Sequence, residues 1–416
     1  MSLRKTFCAV LATSALIFSG CVPAELKLRR DLESETAIRI GALLPLTGAN
    51  RQFGMKMLEG IRFAVDELNN GRGAGGKLIE LQTFDTTSTA EGAARAAESA
   101  AAANVTGVIA GYNTTEVSAE LPLLEKYHLP AVIPLATADD HVGANPFVFR
   151  NMYTDSQQAE TIAAYLWYWR KVMHIGIMVD MSPEDEYSRN IAREVAHHFK
   201  KLGGEVAMIA EFRGSDYEKQ LREIMTYTPR AIVLPVDAER AAAMIRLLRK
   251  LGYRGIICGP DSWDEPQLEH GLAGMERPGD CVYIGTFSDE SQRRKYKKFQ
   301  KAYRERYFHS PGSCETLCYD AVKLLLIGLS DAEDMIKFRH NWLSIRQHSG
   351  AAAVYTMLRN GGIDRTMYVK SIAPPNVANP DPYSRTLLEF QYSRIATYRE
   401  SLEDLEEPRD REPKLF

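Results

Sequence analysis

Three threonines stand where an anion is most easily held. Thr114 and Thr115 follow the apolar run Val105 to Ala110 and the polar turn Gly111 to Thr115, and they open a helical pattern from about Glu116 to Tyr127. Thr137 follows a second apolar run, Ala131 to Leu135. The first N–H groups of a helix have no partner inside it, and the helix dipole places partial positive charge there, so hydroxyls beside them suit an anion. The same residues also read as caps, because Asn113 is followed three places on by Glu116, and Thr137 by Asp140. Local pattern leaves both readings open.

Positioning those turns requires a helix that joins two parallel strands, a crossover whose turns lie beyond the carboxyl ends of the strands, where open parallel sheets bind small ligands. The rest of the chain repeats the unit. Strands are expected at Ile38 to Leu44, Lys77 to Phe84, His174 to Val179, Glu205 to Glu211, Ala231 to Val236, Gly255 to Cys258 and Cys281 to Thr286. Between them fall helical patterns at Gly54 to Asn69, Thr89 to Ala103, Ser156 to Trp169, Asp185 to Leu202, Tyr217 to Thr226 and Ala238 to Leu251. Wholly apolar strands alternating with amphipathic helices imply parallel sheets covered on both faces. The alternation restarts after Phe147 to Arg150, which implies two such domains.

Other chemistries lack a motif. With 416 residues, 45% apolar and 25% charged, and a net charge of −3, the composition is ordinary and makes no case for nucleic acid. The Gly-rich stretch Gly71 to Gly76 follows a helix and precedes a strand, the reverse of a phosphate-cradling loop. There is no HExxH and no GxSxG, and His197 and His198 are adjacent on a helix and point to different faces. Cys314 and Cys318 lie four apart on a helical pattern with no accompanying metal-ligand spacing, whereas Cys258 and Cys281 bound segments that suit neighbouring strands, where either a disulfide or two buried thiols would fit.

The first residues read as an export signal: Arg4 and Lys5 precede the apolar run Phe7 to Phe18, shorter than the roughly 20 residues of a membrane-spanning helix. Phe18, Ser19, Gly20 and Cys21 resemble a bacterial lipobox, with Phe18 in place of the usual Leu. The resemblance implies cleavage before Cys21, acylation of that residue and anchoring at a membrane surface.

Several longer motifs, in this order, are similar to the type I periplasmic binding proteins, in the leucine/isoleucine/valine-binding branch that serves ABC importers. They are IRIGALLPLTGANRQFGMKMLEGIRFAVDELNNGRGAGGKLIELQTFDTTS, VIPLATA, MVDMSPEDEYSRNIAREV and IICGPDSWDE. The similarity runs from about Ala37 to Ile372. It implies an α/β fold of two doubly wound parallel-sheet lobes joined by three crossovers, closing on a solute between them. The implied division is a signal peptide over 1–20, a tether over 21–36, one lobe from 37–154 with 284–343, a second from 155–283 with 344–373, and an extension over 374–416.

By the same resemblance Thr114 and Thr137 hold a ligand carboxylate, the Leu135 carbonyl faces its ammonium, and Asp261 pairs with that ammonium. Phe53 and Tyr187 flank the ligand from opposite lobes, and Tyr112 and Asn113 line the Thr114 turn. Asp237 stands where aliphatic binders usually carry an aromatic residue; it either faces the cleft or caps the helix from Ala238. Ser88 and Asn113 replace the cysteines that are bridged in enteric relatives. Trp263 either floors the pocket or packs beneath it. The implied activity is binding without catalysis, cofactor or metal, by a lipid-anchored envelope protein that delivers an amino acid or related solute to an ABC permease. The alternatives are an envelope lipoprotein of the same fold that regulates a partner enzyme, and a ligand sensor. The segment PPNVANPDPYSRT is turn-rich, and Leu387 to Glu406 reads as a charged helix.

Overall fold

The computed structural model describes residues 37–143, 145–183, 185–288, 290–291, 293–375 and 383–395. Cys21, the leader and the tether lie outside the described residues. Two sheets organise the chain. The first holds β1 (Ala37–Leu44), β2 (Leu78–Asp85), β3 (Gly107–Ile109), β4 (Ala131–Ile133) and β5 (Val148–Arg150), all parallel, in the order β2-β1-β3-β4-β5. The intervening helices are α1 (Arg51–Asn70), α2 (Ala90–Ala102) and α3 (Thr114–Lys126). Alternate side chains of β1 serve both faces: Ile40, Ala42 and Leu44 meet α1, while Leu43 meets α2 and α3.

The second sheet begins with α4 (Asp155–Ala164), β6 (His174–Asp180), α5 (Glu186–Lys201), β7 (Glu205–Phe212), α6 (Glu218–Thr226), β8 (Ala231–Val233), α7 (Ala238–Lys250), β9 (Ile256–Gly259), α8 (Pro266–Leu272) and β10 (Cys281–Gly285). Its parallel strands run in the order β7-β6-β8-β9-β10. The chain then leaves it for α9 (Arg294–Tyr307), α10 (Ser313–Leu329) and α11 (Met335–Leu343). Of these, α10 packs on α1 and beneath β3 and β4 of the first sheet. Gly60 makes the α1 contact possible, because a Cβ there would lie 2.2 Å from the Glu315 carbonyl oxygen. The chain returns through β11 (His348–Ser349), β12 (Val354–Met357), β13 (Ile363–Ala373) and β14 (Tyr383–Gln391), an antiparallel addition to the parallel strands. The three crossings between sheets therefore follow β5, β10 and α11.

Three points are decided by the structure: two expectations change and one open alternative is resolved. The charged helix from Leu387 is a strand over its described part: β14 pairs with Thr366 to Ala373 of β13, on the edge opposite β10, and turns Phe390 inward. Alternation of period two over Thr386 to Gln391, next to an open strand edge, outweighs the scatter of charges. Second, Cys258 and Cys281 are unpaired and buried. Cys258 stands opposite Val282 in the register, so Cys281 points to the other face of the sheet. Third, α1 starts at Arg51 and α3 at Thr114, a few residues earlier than periodicity indicates.

Candidate functional site

The Thr114 turn is built from behind. Asn113 caps α3, its side-chain oxygen accepting the Glu116 N–H at 2.9 Å. The reciprocal half of a capping box is not made: the Glu116 carboxylate instead accepts from the Thr86 hydroxyl at 2.6 Å and the Asn50 amide at 3.4 Å. Deeper still, Glu120 accepts the Gly111 N–H at 2.9 Å, and burial pushes its carboxyl well above the usual range. The Thr137 turn is braced by buried Arg150, which donates to the carbonyls of Thr137, at 3.0 Å, and Ala138. Thr137 caps nothing, because the single turn Asp139–His141 starts from Ala138 without a side-chain cap. Its carbonyl accepts the Asp155 N–H at 2.8 Å instead. Of the two cap readings, one is half made and the other is not made.

Facing these turns from the second half of the chain are Tyr187, in the first turn of α5, and Asp261, just after β9. The Tyr187 hydroxyl donates to the Asp261 carboxylate, and the Asp261 N–H donates to the side-chain oxygen of Gln158 at 3.1 Å. Burial pushes the Asp261 carboxyl up to about 6, against the pull of the Tyr187 and Gln158 hydrogen bonds. Gln158 in turn donates to Asp155 at 3.3 Å. Burial lifts that carboxyl to about 7, against its hydrogen bond with the Thr137 side chain.

Asp237 lines the same cavity and also caps α7, accepting the Arg240 N–H at 2.9 Å. The Arg240 guanidinium gathers three carboxylates, those of Asp180, Asp185 (at 2.7 Å) and Asp237. One guanidinium offsets only part of the charge of three carboxylates, so this rim stays acidic on balance. Trp263 is fully buried and packs beneath the cavity among Tyr283 and its neighbours rather than flooring it.

The remaining wall joins the two halves. Phe53 stacks on Tyr112 with centroids 4.6 Å apart, and Lys56, one turn beyond Phe53, pairs with Glu265 across the cleft at 3.1 Å. The cavity so enclosed measures about 460 Å³. Phe53, Tyr112, Asn113, Thr114, Leu135, Thr137, Tyr187, Asp237 and Asp261 all line it. So do Glu265, Gln267 and Cys314, which sequence reasoning did not single out. Gln158 and Lys56 were also missed, because their partners lie 103 and 209 residues away; Arg240 was missed although Asp237 lies three residues before it, because Asp180 and Asp185, which it also binds, lie 60 and 55 residues away. Among the described residues no group of three or more His, Cys, Asp or Glu is placed to hold a metal ion, and no helix is long and apolar enough to cross a membrane.

Two open α/β lobes around a polar cleft of solute size make a two-lobed binding protein. Residues 37–369 match the family model described as Periplasmic binding protein, and the chain belongs to that family, whose members bind solutes and are not enzymes. It is similar to a Leu/Ile/Val-binding protein homolog 1 of Brucella abortus, 26% identical over 209 residues, 48% of this chain and 51% of that one. The chain thus spans about half the length of the curated relatives it matches. Its fold is similar to that of a leucine-binding protein LivK from Thermotoga maritima, with a TM-score of 0.74, 25% identity, and coverage of 85% of this chain and 98% of that one. It is similar also to the fold of LivJ from Streptococcus pneumoniae, solved in complex with isoleucine, with a TM-score of 0.74, 22% identity, and coverage of 84% and 99%.

Proposed function

We propose that this protein is the extracytoplasmic solute receptor of an ABC importer, anchored through a lipid on Cys21, and that it captures an α-amino acid or close analogue between its lobes. The observation that carries the reading is the two-sided chemistry of the cleft. One lobe offers a capped helix start with the Thr114 and Thr137 side chains, and the other offers the Asp261 carboxylate held by Tyr187. Charges of opposite sign a few ångströms apart on one small molecule match that pair of walls, and a partly desolvated site has to satisfy both. In this reading the helix-start amides and hydroxyls take the carboxylate, while Asp261 and the Leu135 carbonyl take the ammonium. Phe53, Tyr112 and Tyr187 cover the solute, and Asn113 shapes the turn beneath it. Closure excludes water and is driven by the solute's preference for the closed form. The similar LivK is a leucine-binding protein and the similar LivJ was solved with isoleucine, which supports the same class of solute.

Thermal unfolding of the purified protein, freed of carried-over ligand and scanned against amino acids, simple amides, urea, polyamines and aromatic acids, tests this. A ligand at about 100 times its dissociation constant adds roughly 2.7 kcal/mol. A shift confined to α-amino acids is expected. A protein that shifts with none of the panel removes the reading and moves the partner-regulating lipoprotein ahead. Incorporation of labelled fatty acid, lost in Cys21→Ser, checks the anchor.

A further inference from the structure

We propose that the outward face of α9 docks on anionic lipid headgroups and so turns the solute-binding body toward the bilayer in one orientation. This goes beyond the receptor reading and concerns a face outside the cleft. Over Arg294–Tyr307, α9 carries seven basic residues and one acid. Its inner side is buried: Phe299 and Tyr303 pack on Phe63 of α1, and Phe299 also on Tyr319 of α10. Arg294, Lys297, Lys298 and Lys301, spaced by three and four, therefore share the outer side, and all are exposed. The acids that face the helix are engaged with other partners. Asp66 of α1 pairs with Arg306 at 2.5 Å, Glu59 accepts from the Tyr303 hydroxyl and meets His309, and Glu67 takes Lys323 at 2.7 Å. Glu305 approaches Lys301 at 3.9 Å, and Glu67 acts on Lys298 only at longer range. Arg294, Lys295, Lys297 and Lys298 have no ion-pair partner among the described residues.

A second observation comes from the end of the helix. Phe308 stands 91% exposed with φ 63°, a left-handed conformation in which glycine or asparagine is the usual residue. An aromatic ring held in water beside a basic stripe is the composition of a membrane-surface helix, whose charges meet headgroups while the ring enters the acyl boundary. Lysines dominate the stripe, and these flexible point charges suit a fluid anionic surface better than the planar fork that reads one fixed carboxylate. The chain as a whole has a net charge of −3, so the remainder of the body is more acidic still. An anionic surface repels that remainder and attracts α9, and the asymmetry sets the orientation.

Co-sedimentation with vesicles tests this, using the chain from Val22, which keeps every described residue and omits the leader and Cys21, so that no acyl chain contributes. Phosphatidylcholine vesicles with about one part in four phosphatidylglycerol are expected to take up the chain at least about tenfold more strongly than phosphatidylcholine alone, and the preference should shrink at high salt. Lys297→Gln together with Lys298→Gln is expected to lower that uptake at least about tenfold, near fivefold for each charge removed. Phe308→Ser should lower it a few-fold. Lys200→Gln together with Lys201→Gln, exposed at the end of α5, is the control and is expected to change little. All of these side chains are exposed, so an unchanged unfolding temperature certifies each variant. Equal uptake by neutral and anionic vesicles overturns the proposal and leaves the basic face to an acidic protein partner. A loss in the α9 pair no greater than in the α5 pair overturns it too, because general charge rather than this face would then drive binding. Solute binding in the cleft is unaffected by either outcome, so the two readings fail separately.

Discussion

Asp261 meets the cleft with its carboxyl lifted by burial to about 6, which under the proposed amino-acid reading governs how it would receive the ammonium. An ammonium favours the ionised form, so ligand affinity is expected to be constant at higher pH and to fall as pH drops through about 6. Asp261→Asn should abolish that dependence and weaken binding by about 2 to 5 kcal/mol, the range for removing one partner of a buried charge pair; calorimetry at pH 5 and pH 7.5 reads both. Asp155 makes the complementary case for stability. Burial raises its carboxyl to about 7. Since an unfolded aspartate titrates near about 4, the folded chain holds a proton between these values that the unfolded chain releases. Stability from this group is therefore full at low pH and is lost as pH rises through that window. Asp155→Asn is expected to raise the unfolding temperature at pH 8 more than at pH 4. An equal shift at both would show that Asp155 ionises normally.

At the scale of elements, the start of α3 is what turns a helix into part of the cleft. Asn113→Ala removes the bond to the Glu116 N–H and is expected to cost about 1 kcal/mol in a denaturant titration. It should weaken ligand binding too if the turn is the carboxylate site. A cost of zero would mean that the turn is held by the Glu116 and Glu120 contacts alone. The strands and most helices were legible because a wholly apolar strand beside an amphipathic helix leaves little choice of period, as in Val105 to Ala110 and its helix. The stretch after Tyr383 was not. Its charges suit a helix surface, and only the open edge of β13 makes a strand the better partner.

The whole molecule couples two lobes through crossings pinned by buried and half-buried charges. Arg293 donates to the carbonyls of Gly350, Ala351 and Ala352 at 2.9, 2.7 and 2.6 Å. Asp320 accepts the N–H groups of Ala351 and Ala352 at 2.7 and 2.8 Å. Arg365, fully buried, reaches the carbonyl of Asn151 at 3.1 Å and that of Thr286, tying two crossings together. The Lys56–Glu265 pair spans the cleft between the two halves. Its partners are partly exposed, so the contribution is modest. Lys56→Met is expected to weaken ligand binding a few-fold and to enlarge the radius of gyration by X-ray scattering at subsaturating ligand; unchanged values would show that the pair plays no part in closure.

Local periodicity and turn chemistry in the sequence determined two parallel α/β units with polar turns beyond their strands, because a strand's apolar run and a helix's period are set by near neighbours. The longer motifs pointed to the family, and the resemblance named nine residues that share one cavity. The tertiary structure alone decided which charges reach that cavity free. Arg240 is shared by Asp180, Asp185 and Asp237, Lys56 pairs with Glu265, and Tyr187 and Gln158 hold Asp261. Most of these pairs join residues far apart in the chain, and an electrostatic balance depends on distance in space, which folding sets and sequence spacing does not encode.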